Sequence, residues 1–451
     1  MKRDRIRLVL EELECRALLS ASVVPVEPML GSEATHDALH AAKHVSSEHQ
    51  TPKAIPAIHS QAKQGRTSSS PTALNPAWFT PDQIRQAYGF SQVPAFNDPN
   101  IPNDYNNTAG KGQTIAIVDV YDDPNILSDA NVFSRQFGLP QFNTGQTNSP
   151  TFVKLNENNQ EITNEPAGVP HPQTNSAWSS EISLDVEWAH AIAPQANIVL
   201  VEANSSSTSD VFKAMDTARN YPGVSVVSMS WGYWEGANYM RSNMPGDDAA
   251  HLPIPTPSNP VAPITYVAAT LDNGSSPYEN NVYWPAISPN VVGVGGTVLT
   301  LKNGGYGSET GWAYSTGGIS KYEPEPGYQN KVLPQSTMRG NPDVSYAATN
   351  FAAYDTVGTY HGWFQAGGTS AGTPQWAALI ALADQERGAP LNSTQTLDAL
   401  YQLAGNPSDF NDILTGSNGA YQAGTGYDLV TGLGTPVANQ LIQDLANYSG
   451  S

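Results

Sequence analysis

The chain has 451 residues, enough for one large domain or two ordinary ones. Hydrophobic residues make up 39% and charged residues 14%, which describes a globular protein with a sizeable core and excludes a disordered chain. The formal net charge of −20 argues against binding to nucleic acid or to an anionic membrane. The single cysteine, Cys15, excludes an intramolecular disulfide, and no apolar run is long enough for a transmembrane helix.

The first 74 residues divide into two segments that we do not expect in the folded core. Residues 1–30 begin with basic side chains and contain a leader-like stretch from Leu13 to Ser20, which predicts a targeting segment even though glutamates interrupt its apolar part. Residues 31–74 are rich in Ser, Thr, Ala, Gln and Pro and poor in large apolar residues. That composition predicts a flexible low-complexity linker.

From about residue 75 onward, strand-like apolar runs alternate with helical patterns. Residues 80–83 (Thr-Pro-Asp-Gln) are typical of a helix start, and further helical patterns cover residues 126–137 and 210–220. This alternation predicts an α/β fold with a mostly parallel sheet, in which functional sites lie beyond the carboxyl ends of the strands. The predicted strands are Gln113 to Asp119, Asn197 to Val201, Val224 to Met229, Pro263 to Ala268 and Val291 to Val294.

Residues 179–194 are predicted to form a helix that carries an acidic pair. Apolar residues recur with helical spacing, and Ala193-Pro194 ends the pattern. Glu181 and Asp185 are four residues apart and lie on one face, where like charges repel. Either the pair is solvated, or it shares a proton and the pKa of one member is raised. A carboxyl group of the second kind could act as a general base in acid solution, where a histidine is protonated.

A glycine-rich turn, Gly367-Gly368-Thr369-Ser370, leads into an Ala-rich helical pattern. We expect Ser370 just before the helix N-terminus, with Pro374 in the first turn. The free amides and positive dipole end at that place favour a developing negative charge, which suits a nucleophile. The alternative is that the serine only caps the helix, and this stretch alone does not separate the two interpretations.

Glu181-x-x-x-Asp185 followed by Gly368-Thr369-Ser370 resembles the motifs of the sedolisin family, the serine-carboxyl peptidases. The resemblance covers residues 75–449 and implies one domain with a subtilisin-like α/β fold, its mostly parallel central sheet flanked by helices. It also implies a Ser370, Glu181 and Asp185 triad in which the glutamate replaces the usual histidine, and an oxyanion hole that Asp272 helps to build. Supporting matches are Ser228–Gly232 (SMSWG), Pro285–Thr297 (PAISPNVVGVGGT) and Pro342–Ser345 (PDVS).

Two further assignments accompany this resemblance. Ser228, Trp231 and Gly232 are predicted to bind substrate, because their stretch would offer an edge with which an extended peptide can pair. Asp119 matches a position where some family members carry an acidic residue that extends the network behind the glutamate. A strand-end aspartate that caps a neighbouring loop is an equally good interpretation of Asp119.

The C-terminal stretch predicts a calcium-binding region. Two carboxylates together with carbonyls on glycine-rich loops form a set of hard oxygen ligands that suits one Ca²⁺ ion, although Gly/Asp-rich turns are also common without a metal. The resemblance implies a specific ligand set for this ion. The ligands are the side chains of Asp412 and Asp428 and the carbonyls of Ile413, Gly424 and Gly426.

We therefore predict a secreted or cell-surface, acid-active endopeptidase that is a monomer and acts on protein or peptide substrates. Two departures from the family pattern leave open a catalytically weak or inactive extracellular binding module. Leu271 stands where the family has glycine, and only about 74 residues precede the catalytic region, where a long folded prodomain is expected. A subtilisin-type protease active at neutral pH is disfavoured, because none of the nine histidines lies in a His-Gly-Thr context.

Overall fold

The computed structural model describes residues 54–56, 73–98, 100–101, 103–146, 149–276, 278, 281–357 and 360–450. The predicted targeting segment at residues 1–30 lies outside the described residues. So does the predicted linker at residues 31–74, apart from residues 54–56 and 73–74. In the part of the chain that is described, no helix is long and apolar enough to cross a membrane.

Seventeen strands occur among the described residues. They are β1 Ile55–Pro56, β2 Thr114–Val120, β3 Phe152–Asn156, β4 Asn197–Ala203, β5 Val224–Met229, β6 Trp231–Trp234, β7 Thr265–Ala269, β8 Tyr283–Trp284, β9 Val291–Lys302, β10 Gly305–Gly311, β11 Gly318–Pro324, β12 Met338–Asn341, β13 Val344–Ala347, β14 Phe351–Asp355, β15 Gly362–Ala366, β16 Phe410–Asn411 and β17 Thr435–Pro436.

Eight of these strands form the central sheet, in the order β10-β9-β7-β5-β2-β4-β3 with β13 also paired to β9. All the pairs are parallel except that of β9 with β10, so the predicted α/β fold with a mostly parallel sheet is confirmed. Every predicted strand is present and starts within two residues of its expected position. β9 continues to Lys302, because its second half pairs with β10 in a hairpin.

Helices cover both faces of this sheet. Phe133, Trp188 and Trp376 lie in the core on one face, and Phe212 and Met240 lie in the core on the other. The α-helices among the residues that the structure describes are α1 Pro81–Ala87, α2 Asp104–Thr108, α3 Ile126–Phe137, α4 Ser176–Ile192, α5 Thr208–Asn220, α6 Asn238–His251, α7 Thr369–Arg387, α8 Ser393–Gln402 and α9 Ala438–Ala446.

The helix α4 is buried along nearly its whole length, and this burial excludes the interpretation that its acidic pair is solvated. All of its residues from Trp178 to Ile192 are buried. The side chain of Asn175 accepts hydrogen bonds from the main chain of the first turn, and Trp188 Nε1 donates to the Ala352 carbonyl at 2.9 Å. Because these contacts fix the helix at both ends, the Glu181–Asp185 face is held inside the protein and is not solvated.

The helix α7 starts two residues earlier than we expected, at Thr369 and not after Ser370. Gly368 has φ 108°, a conformation that glycine adopts without strain, and the helix begins at Thr369. Ser370 therefore lies in the first turn, and Pro374 lies in the second turn, not the first. A Cβ at Gly372 would lie only 2.6 Å from Tyr346 Cβ, so glycine is required there for α7 to pack this closely on β13.

Candidate active site

The hydroxyl group of Ser370 and the carboxyl group of Glu181 meet between α7 and α4. Ser370 Oγ donates a hydrogen bond to Glu181 Oε1, and both side chains are fully buried. Glu181 Oε2 has no hydrogen-bond partner among the described residues. Burial and the nearby charges of Asp185 and Asp119 raise the pKa of Glu181 well above its usual value. This arrangement places a proton acceptor directly on a serine hydroxyl in a dry environment.

Asp185 lies one helical turn after Glu181, on the same face of α4. Its Oδ1 accepts a hydrogen bond from Ser230 Oγ at 2.9 Å, and its Oδ2 has no partner among the described residues. Burial and the charge of Asp119 raise the pKa of Asp185 well above its usual value. No hydrogen bond between Asp185 and Glu181 occurs in the described part of the chain, so Asp185 acts on Glu181 through its charge.

Asp119 is the third carboxyl group of this cluster and lies in β2, one residue before the strand ends. It is fully buried, and neither of its oxygens has a hydrogen-bond partner among the described residues. Burial raises its pKa to about 7. An aspartate that capped a loop would accept N–H donors from that loop, so this geometry favours membership of the carboxyl cluster.

Asp272 approaches Ser370 from the loop that follows β7. Its Oδ1 accepts hydrogen bonds from the Thr369 N–H at 2.8 Å and from the Thr369 hydroxyl at 3.0 Å. Its Oδ2 has no partner among the described residues. Burial raises the pKa of Asp272 to about 8. Below that pH the side chain carries a proton and can donate a hydrogen bond close to Ser370.

Leu271 precedes Asp272 and adopts φ 78°, a left-handed conformation that is uncommon for a residue with a side chain. Two hydrogen bonds hold its main chain there. Its N–H donates to Thr369 Oγ1 at 3.1 Å, and its carbonyl accepts from the Thr316 N–H at 3.0 Å. The backbone therefore has the form that glycine prefers although the residue is leucine, and Asp272 still reaches Thr369.

The strand β6 has an edge that already carries a short extended segment of the same chain. In β1, Ile55 lies opposite Gly232 and Pro56 opposite Trp231 in an antiparallel pair. The Ala54 N–H donates to the Ser206 carbonyl at 2.9 Å. The main chain at residues 231–232 can thus hold an extended polypeptide.

The three residues predicted to bind substrate differ in which of their groups an extended peptide could contact. Gly232 offers its main chain on the edge of β6. The Trp231 side chain is fully buried and donates to the Val118 carbonyl at 2.7 Å, so only its main chain is available. The prediction for Ser228 does not fit this geometry, because β5 is paired on one edge with β2 and on the other with β7.

None of the described histidines lies at this site. His190 is fully buried two turns along α4, where its Nε2 is 2.8 Å from the Pro140 carbonyl oxygen. Burial lowers its pKa to about 4, as for a neutral structural side chain. His171, His251 and His361 contact Glu165, Asp216 and the Thr356 carbonyl, respectively.

The two loops predicted to bind calcium lie against each other. The Gly426 N–H donates to both carboxylate oxygens of Asp412, at 3.1 and 3.0 Å. Asp428 accepts from the main chain of Gly424, Val430 and Thr431. Among the described residues, no group of three or more Asp, Glu, His or Cys side chains is arranged to hold a metal. The oxygen-only donor set fits Ca²⁺, with carbonyls needed to complete it.

Comparison with known proteins identifies the family. The sequence profile described as the subtilase family matches residues 163–421, more than half of the chain. Kumamolisin from Bacillus sp. strain MN-32 is 32% identical over 411 residues, which cover 84% of this chain and 64% of kumamolisin. Sedolisin from Pseudomonas sp. strain 101 is 26% identical over 350 residues, which cover 71% of this chain and 56% of sedolisin. The chain is a subtilase of the sedolisin branch.

A solved structure shows the same fold for this sedolisin-family chain. Pseudomonas sedolisin, described as a serine-carboxyl proteinase complexed with two molecules of pseudo-iodotyrostatin, superposes with a TM-score of 0.62 at 23% sequence identity. The match covers 80% of this chain and 96% of that structure. The chain spans less than two thirds of the length of the curated relatives described above.

Two contacts of this sedolisin-family site were missed from the sequence. Ser230 bonds to Asp185, and Thr369 bonds to Asp272. Ser230 could have been found, because it is the first residue beyond β5 and lies at the carboxyl end of the sheet. The pairing of Ile55–Pro56 with the β6 edge carried no sequence signal, since strand pairing is made by the main chain.

Proposed function

We propose that this protein is an acid-active, serine-type endopeptidase that hydrolyses peptide bonds through Ser370, Glu181 and Asp185. The observation that carries the proposal is the hydrogen bond from Ser370 Oγ to Glu181 Oε1 inside a buried carboxyl cluster. A serine hydroxyl needs an adjacent base to become a nucleophile. Here that base is a carboxyl group whose pKa is raised, so it can exchange a proton under acid conditions where a histidine could not.

In the proposed mechanism Ser370 Oγ attacks the peptide carbonyl carbon while Glu181 accepts the hydroxyl proton. The negative charge of the tetrahedral intermediate would form next to Asp272, which carries a proton below about pH 8 and can donate it in a hydrogen bond. The Ser370 N–H, in the first turn of α7, has no acceptor within the helix and is a second donor. Glu181 then returns its proton to the leaving amine, and water hydrolyses the ester by the same steps.

Asp185 and Asp119 are proposed to keep the cluster at one shared negative charge. Both raise the pKa of Glu181 through their charges. With all three carboxyl groups buried, full ionisation would place like charges together in a medium that solvates them poorly. A proton held by one member leaves another free to act as the base, and acid solution supplies that proton.

The substrate is proposed to be an extended segment of protein or peptide that pairs with the edge of β6. The pairing of β1 with Gly232 and Trp231 supports this, because it shows an extended chain seated on that edge. We also propose secretion to the cell surface or beyond, which would bring the enzyme into acid surroundings.

A single calcium ion is proposed at the C-terminal loops. Asp412 and Asp428, with the carbonyls of Ile413, Gly424 and Gly426, would hold it. An ion at this place would supply structural charge neutralisation between two loops, and no catalytic step passes through it.

The proposal is tested by cleavage of casein and a peptide library at pH 3 to 8 by wild-type protein, Ser370→Ala and Glu181→Gln. We expect wild type to cleave fastest on the acid side of neutrality. Each variant should lose activity by a factor on the order of 10⁴, because the nucleophile and its base act as a unit. A peptide aldehyde should inhibit wild type by adding to the Ser370 hydroxyl.

The matched control for this test is Glu187→Gln. Glu187 is also a buried carboxyl group of α4, but it accepts a hydrogen bond from the Tyr354 N–H and lies off the catalytic face. We expect this variant to retain wild-type cleavage. Wild type that cleaves nothing and binds no aldehyde, or a Ser370→Ala protein that still cleaves, would rule the mechanism out and favour a binding module.

A further inference from the structure

The geometry points to Leu271 as the residue that sets which peptides this site takes. It closes the side-chain space next to the nucleophile, so that the substrate residue on the acyl side of the cleaved bond is glycine, alanine or serine. This inference rests on the proposed peptidase function and adds a substrate class to it. Four observations carry it: the direction of the β6 edge, the face on which substrate side chains lie, the space left on that face and the conformation of Leu271.

The direction of the edge follows from β1. The antiparallel pair has Ile55 opposite Gly232 and Pro56 opposite Trp231, so a chain on this edge runs from its N- to its C-terminus toward Ser230. Ser230 Oγ donates to Asp185, which places this residue beside the catalytic cluster. A peptide seated in this direction keeps its acyl-side residues on β6, and the residue opposite Ser230 carries the carbonyl that faces the nucleophile.

The face follows from strand geometry. Side chains alternate along an extended peptide, and residues directly opposite each other in an antiparallel pair project to the same face. The substrate residues opposite Gly232 and Ser230 are two positions apart. Their side chains therefore share the face toward which a Cβ of Gly232 would point.

The space on that face is filled by the protein itself. A Cβ at Gly232 would lie 3.0 Å from Tyr283 Cβ, 3.2 Å from the Trp284 carbonyl oxygen and 3.3 Å from Leu271 Cδ1. Leu271 is 1% exposed and packs with Ala269 and Tyr283 in a small apolar cluster. With glycine at position 271, the volume of the leucine side chain would be open beneath the edge.

The conformation of Leu271 shows that leucine and glycine at this position would differ in their side chains and not in the backbone. The main chain holds φ 78° through bonds to Thr369 and Thr316, and glycine would make the same bonds without strain. What leucine adds is bulk in the space beside the edge. A substrate side chain that points into this packed region can be no larger than a hydrogen, methyl or hydroxymethyl group. The region excludes aromatic and long aliphatic side chains by volume, and a lysine or arginine side chain would also lose its hydration there.

The test uses two peptides that differ only at the acyl-side residue, alanine in one and phenylalanine in the other. We expect wild-type kcat/KM to favour the alanine peptide by a factor on the order of 10². Leu271→Gly should bring the two values within a few-fold of each other, mainly by raising cleavage of the phenylalanine peptide. Leu271→Ala, which keeps a Cβ, should fall between the two. Asn303→Gly is the matched control, since Asn303 is an exposed hairpin residue at φ 53° and its replacement relieves backbone strain alone.

A second measurement separates this inference from the catalytic proposal. Both peptides are titrated by calorimetry into Ser370→Ala protein, which binds without cleaving. Tighter binding of the alanine peptide supports the role assigned to Leu271 even if wild type proves inactive. Equal affinity for the two peptides, binding of neither, wild-type cleavage of both at similar rates, or a Leu271→Gly protein with an unchanged ratio would each overturn it.

Discussion

Two sets of buried carboxyl groups in this protein differ in how their oxygens are satisfied. Asp343 is fully buried, and it accepts hydrogen bonds on both oxygens. Its Oδ1 accepts from Arg339 Nη1 and Tyr401 Oη, at 2.8 and 2.6 Å, and its Oδ2 accepts from Arg339 Nη2 and the Gly293 N–H, both at 2.7 Å. The carboxyl groups of Asp119, Glu181 and Asp185 are buried to the same degree, yet four of their six oxygens have no partner among the described residues.

This difference separates a structural carboxylate from the cluster that we propose to be reactive. A buried carboxylate with a paired guanidinium and two further donors is stable as an anion. A cluster without a cation is stable only while it holds protons, so its members remain ready to exchange them. Asp343, just before β13, thus bonds to β12 and α8, whereas the cluster that we propose to be catalytic leaves hydrogen bonds unmade and holds protons that it can exchange.

The largest expected effect is on stability, when the ion pair between Arg339 and Asp343 is broken. Arg339→Met keeps much of the side-chain volume but leaves Asp343 buried without its cation. The free energy of unfolding should fall by about 3–5 kcal/mol. Urea denaturation in a Ser370→Ala background, which prevents self-digestion, measures it. A loss below about 1 kcal/mol would mean that Asp343 is not the structural anion that its four hydrogen bonds indicate.

The second effect should be on activity alone. Asp185→Asn retains an oxygen that can accept from Ser230 but removes a titratable member of the cluster. We expect kcat/KM to fall by roughly 10²–10³-fold at acid pH, the range of general acid–base assistance. The free energy of unfolding should stay equal or rise, since a buried group without a partner has lost its charge. A variant that is both active and destabilised would show that Asp185 is a structural carboxylate like Asp343.

The sequence predicted the fold and the approximate positions of Ser370, Glu181 and Asp185 on their helices, because both depend on local patterns. Strands and helices followed from periodicity, and Glu181 and Asp185 share a helix face at a spacing of four. The other contacts of the site join segments that are far apart in the sequence. The unpaired state of Asp119 depends on packing between β2 and α4, and the bond from Ser230 to Asp185 joins the residue that follows β5 to α4. No local pattern encodes such contacts.

Backbone conformation explains the predictions that were wrong or incomplete. Ser228 was predicted to lie on the substrate-binding edge, but β5 is paired on both sides inside the sheet. The edge on which an extended segment can pair, and which β1 occupies, starts only at Trp231. Leu271 could be recognised as unusual, but whether leucine would change the loop depended on φ. The bonds to Thr369 and Thr316 hold the glycine-like conformation, so Asp272 keeps its position.

The third effect is a dependence of stability on pH. Burial raises the pKa of Asp119 to about 7 and of Asp272 to about 8, compared with about 3.9 in an unfolded chain. Between these values the folded state binds more protons than the unfolded state. The stabilisation from these two groups is therefore complete below about pH 4 and is lost as pH rises through 7 and 8.

Urea denaturation of Ser370→Ala protein between pH 4 and pH 9 measures this dependence. Each group should lower the free energy of unfolding by up to roughly 1.4 kcal/mol per pH unit in its window. Asp119→Asn removes one titrating group and should flatten the curve below pH 7. Parallel curves for the two proteins would show that Asp119 ionises normally and does not belong to the proton-holding cluster.

The smallest expected effect concerns a third kind of carboxylate, at the C-terminal loops. Asp412 is exposed, so a cation can reach it, and a bound ion would have to replace some of the main-chain donors that Asp428 now accepts from. Calcium at tenfold above its Kd should stabilise the fold by about 1.4 kcal/mol, visible as a rise in Tm that a chelator reverses. Magnesium should not reproduce the rise, because it keeps its water shell and demands octahedral geometry. Asp412→Ala should abolish the calcium response without altering cleavage in calcium-free buffer, and a full response in that variant would place the ion elsewhere.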